Sequence, residues 1–194
     1  MALDLLFLGP PGAGKGTQAR LLSAEHGIPQ ISTGEMLREA IAAESELGKR
    51  VQPILESGEL VPDNVMIELI REQAARTDTE NGFILDGFPR TLAQAEALDE
   101  MLRAIGRRLS AVLEFQLDEE EAVRRLVGRA ATEGRSDDTA QVIRNRMQVY
   151  REQTEPLVAY YLAQSILVGI RAEGTIDAVH EEVERIVDRV GAGV

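Results

Sequence analysis

Leu3-Asp4-Leu5-Leu6-Phe7-Leu8 is an apolar run of the buried-strand type that feeds directly into Gly9-Pro10-Pro11-Gly12-Ala13-Gly14-Lys15-Gly16-Thr17, and a helical pattern opens near Gly14. Strand, glycine-rich loop, lysine and helix in that order make a phosphate loop. Glycines let the backbone adopt positive φ and approach a ligand closely, so successive N–H groups converge on one anion while the helix N-terminus adds partial positive charge. Lys15 adds a full charge. The common pattern G-x-x-x-x-G-K-[ST] is missed by one residue, because Gly16 follows Lys15 and the hydroxyl arrives at Thr17.

The rest of the chain alternates between the two periodicities. Residues to about His26-Gly27 form the first helix, Pro29–Ser32 a short strand, and Ser32-Thr33-Gly34-Glu35 has capping-box spacing for the next helix, with Arg38 one turn inside it. From Thr33 to about Leu60 the pattern is helical, with breaks expected at Gly48 and Gly58 and no strand between. A further helix begins at Val61-Pro62-Asp63. The strand Gly82-Phe83-Ile84-Leu85 stops at Asp86, followed by Gly87-Phe88-Pro89-Arg90. Helices are expected from Thr91 to Ile105, from Asp118 to about Gly128, from Asp138 through Tyr150, and after Thr175; Ala111–Phe115 and Ser165–Ile170 complete five strands. Such alternation implies an open, mostly parallel sheet covered on both faces, with ligands beyond the strand carboxyl ends, where Asp86 and Arg90 fall.

Composition narrows the partners. A net charge of −12 repels nucleic acid and anionic membranes on average, so a phosphate site must be built locally. The absence of cysteine removes thiolate metal sites, disulfides and cysteine nucleophiles, and fits a cytoplasmic protein. No basic n-region precedes the first apolar run, and no apolar stretch reaches the ~18 residues of a membrane helix. His26 and His180 stand far apart in sequence and are expected to be ordinary surface histidines.

Four motifs, Gly9–Thr17, Gln30-Ile-Ser-Thr-Gly-Glu35, Asp86-Gly-Phe-Pro-Arg90 and Arg135-Ser-Asp-Asp138, stand together in an order and at separations that resemble the adenylate kinases of the nucleoside monophosphate kinase family. The resemblance covers essentially the whole chain. It implies a P-loop three-layer α/β/α fold with a five-stranded parallel sheet: core 1–31, 62–129 and 137–194, a helical NMP-binding insertion 32–61, and a short lid 130–136. It implies reversible γ-phosphoryl transfer from MgATP to AMP in a monomer that binds ATP, ADP and AMP.

By the same resemblance, Gly12, Ala13, Gly14, Lys15, Gly16, Thr17, Arg125, Arg129 and Gly174 meet ATP. Thr33, Arg38, Glu59, Leu60, Val61, Gly87, Phe88, Pro89, Arg90 and Gln94 meet AMP, and Arg135 and Arg146 bridge toward the transferring group. Lys15, Arg90, Arg129, Arg135 and Arg146 are the implied catalytic set, with Asp86 holding Mg²⁺ through water and Thr17 near the ion. The chemistry is consistent with these residue types. Phosphoryl transfer needs alignment and charge stabilisation more than a nucleophile, and guanidinium forks match phosphate oxygens bidentately.

Other readings stand beside these. Thr33 and Gln94 also suit helix caps, the latter through Thr91-x-x-Gln94, and Arg125 suits a surface ion pair. A kinase for UMP or CMP would share the phosphate machinery, and a phosphate-loop switch protein would share the loop without a second arginine-lined phosphate site. The chain departs from long-lid members: only Ala130-Ala131-Thr132-Glu133-Gly134 separates Arg129 from Arg135, and a four-cysteine zinc lid is impossible. Ile176 stands where many members carry lysine.

Overall fold

The computed structural model describes residues 2–133 and 138–192. Five parallel strands, β1 (Leu3–Leu8), β2 (Gln30–Ser32), β3 (Gly82–Asp86), β4 (Ala111–Gln116) and β5 (Leu167–Arg171), lie in the order β2-β3-β1-β4-β5. Alternation along β1 divides the core. Leu5 and Phe7 face α1 (Lys15–His26) and α9 (Ile176–Gly191), packing with Leu22, Phe115, Ile170 and Val183. Leu6 and Leu8 face the other way, onto a larger cluster with Phe83, Leu85, Leu98, Val112 and Tyr161. That second layer is built by α2 (Thr33–Ala42), α3 (Glu46–Ser57), α4 (Asp63–Ala74), α5 (Leu92–Ala104) and α8 (Leu157–Ala163). The three-layer α/β/α architecture follows from this two-sided burial.

Register sets up the site. Phe7 lies opposite Asp86, and Ser32 lies opposite Asp86 on the other side, so the phosphate loop, the Asp86–Arg90 segment and the start of α2 emerge at one sheet edge. Gly12, at φ +85°, lets the loop pass under α6 (Glu119–Glu133): a Cβ there would come within 2.7 Å of the Ala122 carbonyl oxygen.

Several sequence expectations need correction. Gly48 does not break a helix. The break falls at Ala43–Ser45, where the Ser45 hydroxyl accepts from the Gly48 N–H at 3.0 Å and caps α3. Gly48 is instead the crossing point of α2 and α3, since a Cβ there would stand 2.0 Å from the Ala40 carbonyl oxygen. The capping box at Ser32 is not made; α2 begins there without a side-chain cap, and Glu35 pairs with Arg20. Gly128 does not end α6, which continues through Glu133 and so makes residues 130–133 of the expected lid loop helical. Within α6, Val127 is exposed, and Ala122 and Leu126 supply the buried contacts.

A sixth helical segment of the expected core also changes. Helix α7 (Ala140–Val149) gives way to a π-helical turn, Tyr150–Thr154, and Tyr150 is half-buried on the wall of the cavity described below. Among the described residues no helix is long and apolar enough to cross a membrane.

Candidate functional site

Beyond the carboxyl ends of β1 and β3 opens a cavity of about 590 Å³, within the size range of small-molecule sites. Its wall includes Gly12, Ala13, Gly14, Lys15, Gly16, Thr17, Asp86, Arg125, Arg129 and Gly174. Adjoining it is a smaller pocket of about 70 Å³ under α2 and α3, lined by Thr33, Glu59, Leu60, Val61, Gly87 and Gln94. Arg38, Arg90 and Arg146 line both. A chain of net charge −12 thus concentrates guanidinium groups where the two spaces meet.

No side chain caps α1; its N-cap is Gly14 in the left-handed region, and Gly14 through Thr17 form the cavity floor. The first-turn amides of that helix are therefore available to an anion. The Lys15 ammonium donates to the carbonyl oxygens of Gly9 (2.7 Å) and Pro10 (2.8 Å). Burial pushes its pKa down to about 8 against the pull of Asp86, and Arg90, Arg146 and Arg129 add to the depression.

Gly16, where the common loop pattern has a hydroxyl residue, sits against Asp86. A Cβ at that position would stand 3.2 Å from Oδ2 of Asp86. Omitting it keeps the carboxylate next to the loop, where a carboxylate and the Thr17 hydroxyl offer the hard oxygen donors that suit Mg²⁺.

The wall of the smaller pocket is held by shared contacts. Arg90 Nε donates to the Gly87 carbonyl oxygen at 2.7 Å, its backbone N–H donates to Oε1 of Gln94 at 2.7 Å, and its carbonyl accepts from the Thr154 hydroxyl at 2.9 Å. Gln94 also donates from Nε2 to Asp63 Oδ1 at 2.7 Å. Two N–H groups and two lone pairs on one amide leave one of each for a ligand, so the helix-start contact and a place in the pocket wall coexist. The Thr33 hydroxyl makes a long 3.4 Å contact to the Asp86 carbonyl oxygen.

Thr139, not Asp138 at the head of the expected helix, caps α7. Asp138 is instead a buried hub that accepts from Arg129 Nε (2.7 Å) and Nη2 (2.8 Å) and from Arg146 Nη1 (2.6 Å). Glu121 does the corresponding work for Arg125, accepting from its Nε at 2.7 Å, and also pairs with Arg124. Arg125 therefore makes an ion pair within α6 and also lines the cavity.

Phe88 lines neither space; its side chain is wholly buried in the core cluster, while its neighbours Gly87 and Pro89 reach the cavity. Arg135 lies outside the described residues, as does Gly134. Arg20, Asp138, Tyr150 and Thr154 were missed by sequence reasoning. The motif ending at Asp138 was the available signal, but a buried acid and a capping acid look alike in sequence.

The adenylate kinase family model matches residues 7–166. Among curated proteins, an adenylate kinase of Thermus thermophilus is 52% identical over 179 residues, covering 92% of this chain and 94% of its own. An adenylate kinase of Agrobacterium fabrum is 45% identical over 196 residues (98% and 100%), and one of Archaeoglobus fulgidus is 43% identical over 215 (97% and 99%). With five parallel strands, a phosphate loop and two arginine-joined cavities in a chain matched across most of its length, this protein belongs to the adenylate kinase family.

Proposed function

We propose that this chain catalyses the reversible transfer of the γ-phosphoryl group of MgATP to AMP, giving two ADP, as a cytoplasmic monomer. The observation that carries the reading is the sharing of Arg38, Arg90 and Arg146 by a larger and a smaller cavity. Two polyanions can meet there only if fixed cations offset their repulsion. The larger space takes the donor, with its phosphates on the loop amides, Lys15, Arg125 and Arg129, and its adenine toward Gly174. The smaller takes AMP, with its phosphate on Arg38 and Arg90 and its base toward Thr33, Glu59–Val61 and Gln94.

Lys15, Arg90, Arg129 and Arg146, with Arg135 from the lid, stabilise charge on the moving group and align donor and acceptor oxygens; no covalent intermediate is formed. Asp138 positions Arg129 and Arg146 without touching substrate. Asp86 and Thr17 would hold Mg²⁺, which when bound offsets charge on the donor phosphates. The insertion 32–61 and the lid 130–136 fold over the two substrates and exclude water that would otherwise hydrolyse ATP.

The test is a coupled assay of ADP formation from MgATP with AMP, CMP or UMP in turn. AMP is expected to have much the highest kcat/KM. Faster turnover of CMP or UMP would overturn the adenylate assignment, and nucleotide hydrolysis without acceptor dependence would overturn the transfer reading.

A further inference from the structure

The two histidines, expected to be unrelated surface residues, converge on one carboxylate. His26 at the end of α1 approaches Oε2 of Glu184 at 2.9 Å, and His180, one helical turn before Glu184 on α9, stands 3.7 Å from its Oε1. Nε2 of His180 is also 3.0 Å from Oε2 of Glu25. One ligand atom each from Glu25, His180 and Glu184 lies within 4.8 Å of the others. None of these residues lines the nucleotide cavity.

The tautomer of His180 follows from its buried neighbour. Nε2 of Gln18 donates to the Ile176 carbonyl oxygen at 2.9 Å, and a carbonyl can only accept, so the Gln18 oxygen is the atom turned toward Nδ1 of His180, also at 2.9 Å. Gln18 is only 3% exposed, so this orientation is fixed by packing. Nδ1 must then carry the proton. With Nδ1 protonated, Nε2 faces two carboxylates, and a cation between them, whether a second proton or a metal ion, is what joins the three. Oε1 of Glu184 is buried and has no hydrogen-bond partner among the described residues. Such a group of acceptors calls for a cation.

We propose that Glu25, His180 and Glu184 form a binding site for a borderline divalent cation of the Zn²⁺ class, with water as the fourth ligand. A tetrahedral ion with ligands near 2.1 Å has ligand–ligand edges of about 3.4 Å. The two His180 separations, 3.0 and 3.7 Å, bracket that edge. Donors of one imidazole and two carboxylates suit zinc-like ions better than Mg²⁺, which prefers an all-oxygen octahedron. The outer contacts are those of a metal site: Gln18 fixes the tautomer of His180, and His26 holds the second oxygen of Glu184. A bound ion would tie α1, the helix of the phosphate loop, to α9, bracing the Gln18–Ile176 link at the cavity wall.

The test uses untagged, metal-stripped protein without nucleotide, titrated with Zn²⁺ at pH 8. Because the chain holds only two histidines, their ring nitrogens can be assigned by long-range proton–nitrogen NMR. The expected results are an Nδ1–H tautomer of His180 before addition, a shift of its Nε2 signal saturating at one Zn²⁺ per chain, and a melting temperature several degrees higher. Glu25→Gln, at an exposed position that does not threaten folding, should weaken binding at least tenfold, as should Glu184→Gln. An unmoved His180 Nε2 signal overturns the proposal, as does equal Zn²⁺ affinity in the Glu25→Gln protein. A His180 ring found doubly protonated at pH 8 and indifferent to Zn²⁺ would identify the cation as a proton and overturn it equally.

Discussion

Arg129 and Asp138 are joined by two parallel hydrogen bonds, Nε to Oδ2 at 2.7 Å and Nη2 to Oδ1 at 2.8 Å, and the carboxylate that receives them is wholly buried. Oδ1 also receives Arg146 at 2.6 Å, so one charge holds guanidinium groups from α6 and α7 toward one cavity. Asp138→Asn keeps the shape and removes the charge that reconciles two cations. Turnover should fall about a hundredfold through misplaced arginines. Both arginines reach the cavity, which tempers the stability loss to about 1–3 kcal/mol. Steady-state kinetics and thermal melts check this; a variant with unchanged kcat would remove Asp138 from any positioning role.

Lys15 gives a pH dependence with a definite sign. In the ligand-free protein its ammonium form is lost as pH rises through about 8, so kcat/KM for MgATP should decline above that value by up to tenfold per pH unit. The kcat profile should break at higher pH, because bound phosphates favour the charged form. Stability moves the other way. The fold disfavours the charged lysine, a cost present in full below about 8 and relieved as pH climbs toward the ordinary 10.5. A kcat/KM profile flat from pH 7 to 10 would contradict the assignment.

Arg90 is held by Gly87, Gln94 and Thr154, and borders both cavities. Arg90→Ala should lower turnover by several orders of magnitude with little change in melting temperature, because it removes charge stabilisation and not core packing. Loss below about tenfold would take it off the catalytic list.

Gly48 provides a prediction about folding alone. Gly48→Val places side-chain atoms where even a Cβ would stand 2.0 Å from the Ala40 carbonyl oxygen, and α2 and α3 must separate. The expected cost is about 2 kcal/mol or more, a fall of roughly 4–8 °C in melting temperature. An unaltered melt by circular dichroism would show that the crossing tolerates a side chain.

The five strands, the phosphate loop and most arginines of the cavities were legible in the sequence because they rest on local signals: apolar runs, glycine spacing, and cations at strand ends. What escaped depends on partners distant in the chain. Gly48 resembles a helix breaker until α2 crosses it, and Asp138 resembles a cap until Arg129 and Arg146 close on it. Tyr150 resembles core because it continues the helical spacing of Ile143 and Met147, yet it is half-buried and lines the cavity. The convergence of His26 and His180 on Glu184 needed the packing of α1 on α9, which no spacing encodes.

The central claim is that one chain holds donor and acceptor phosphates side by side across arginines common to both spaces. Calorimetric titration with a mimic joining two adenosines through five phosphates tests it most directly. One molecule should bind per chain, far more tightly than ATP or AMP, and saturation should abolish the binding of both nucleotides. A mimic that displaces ATP while AMP still binds with unchanged affinity would contradict the account.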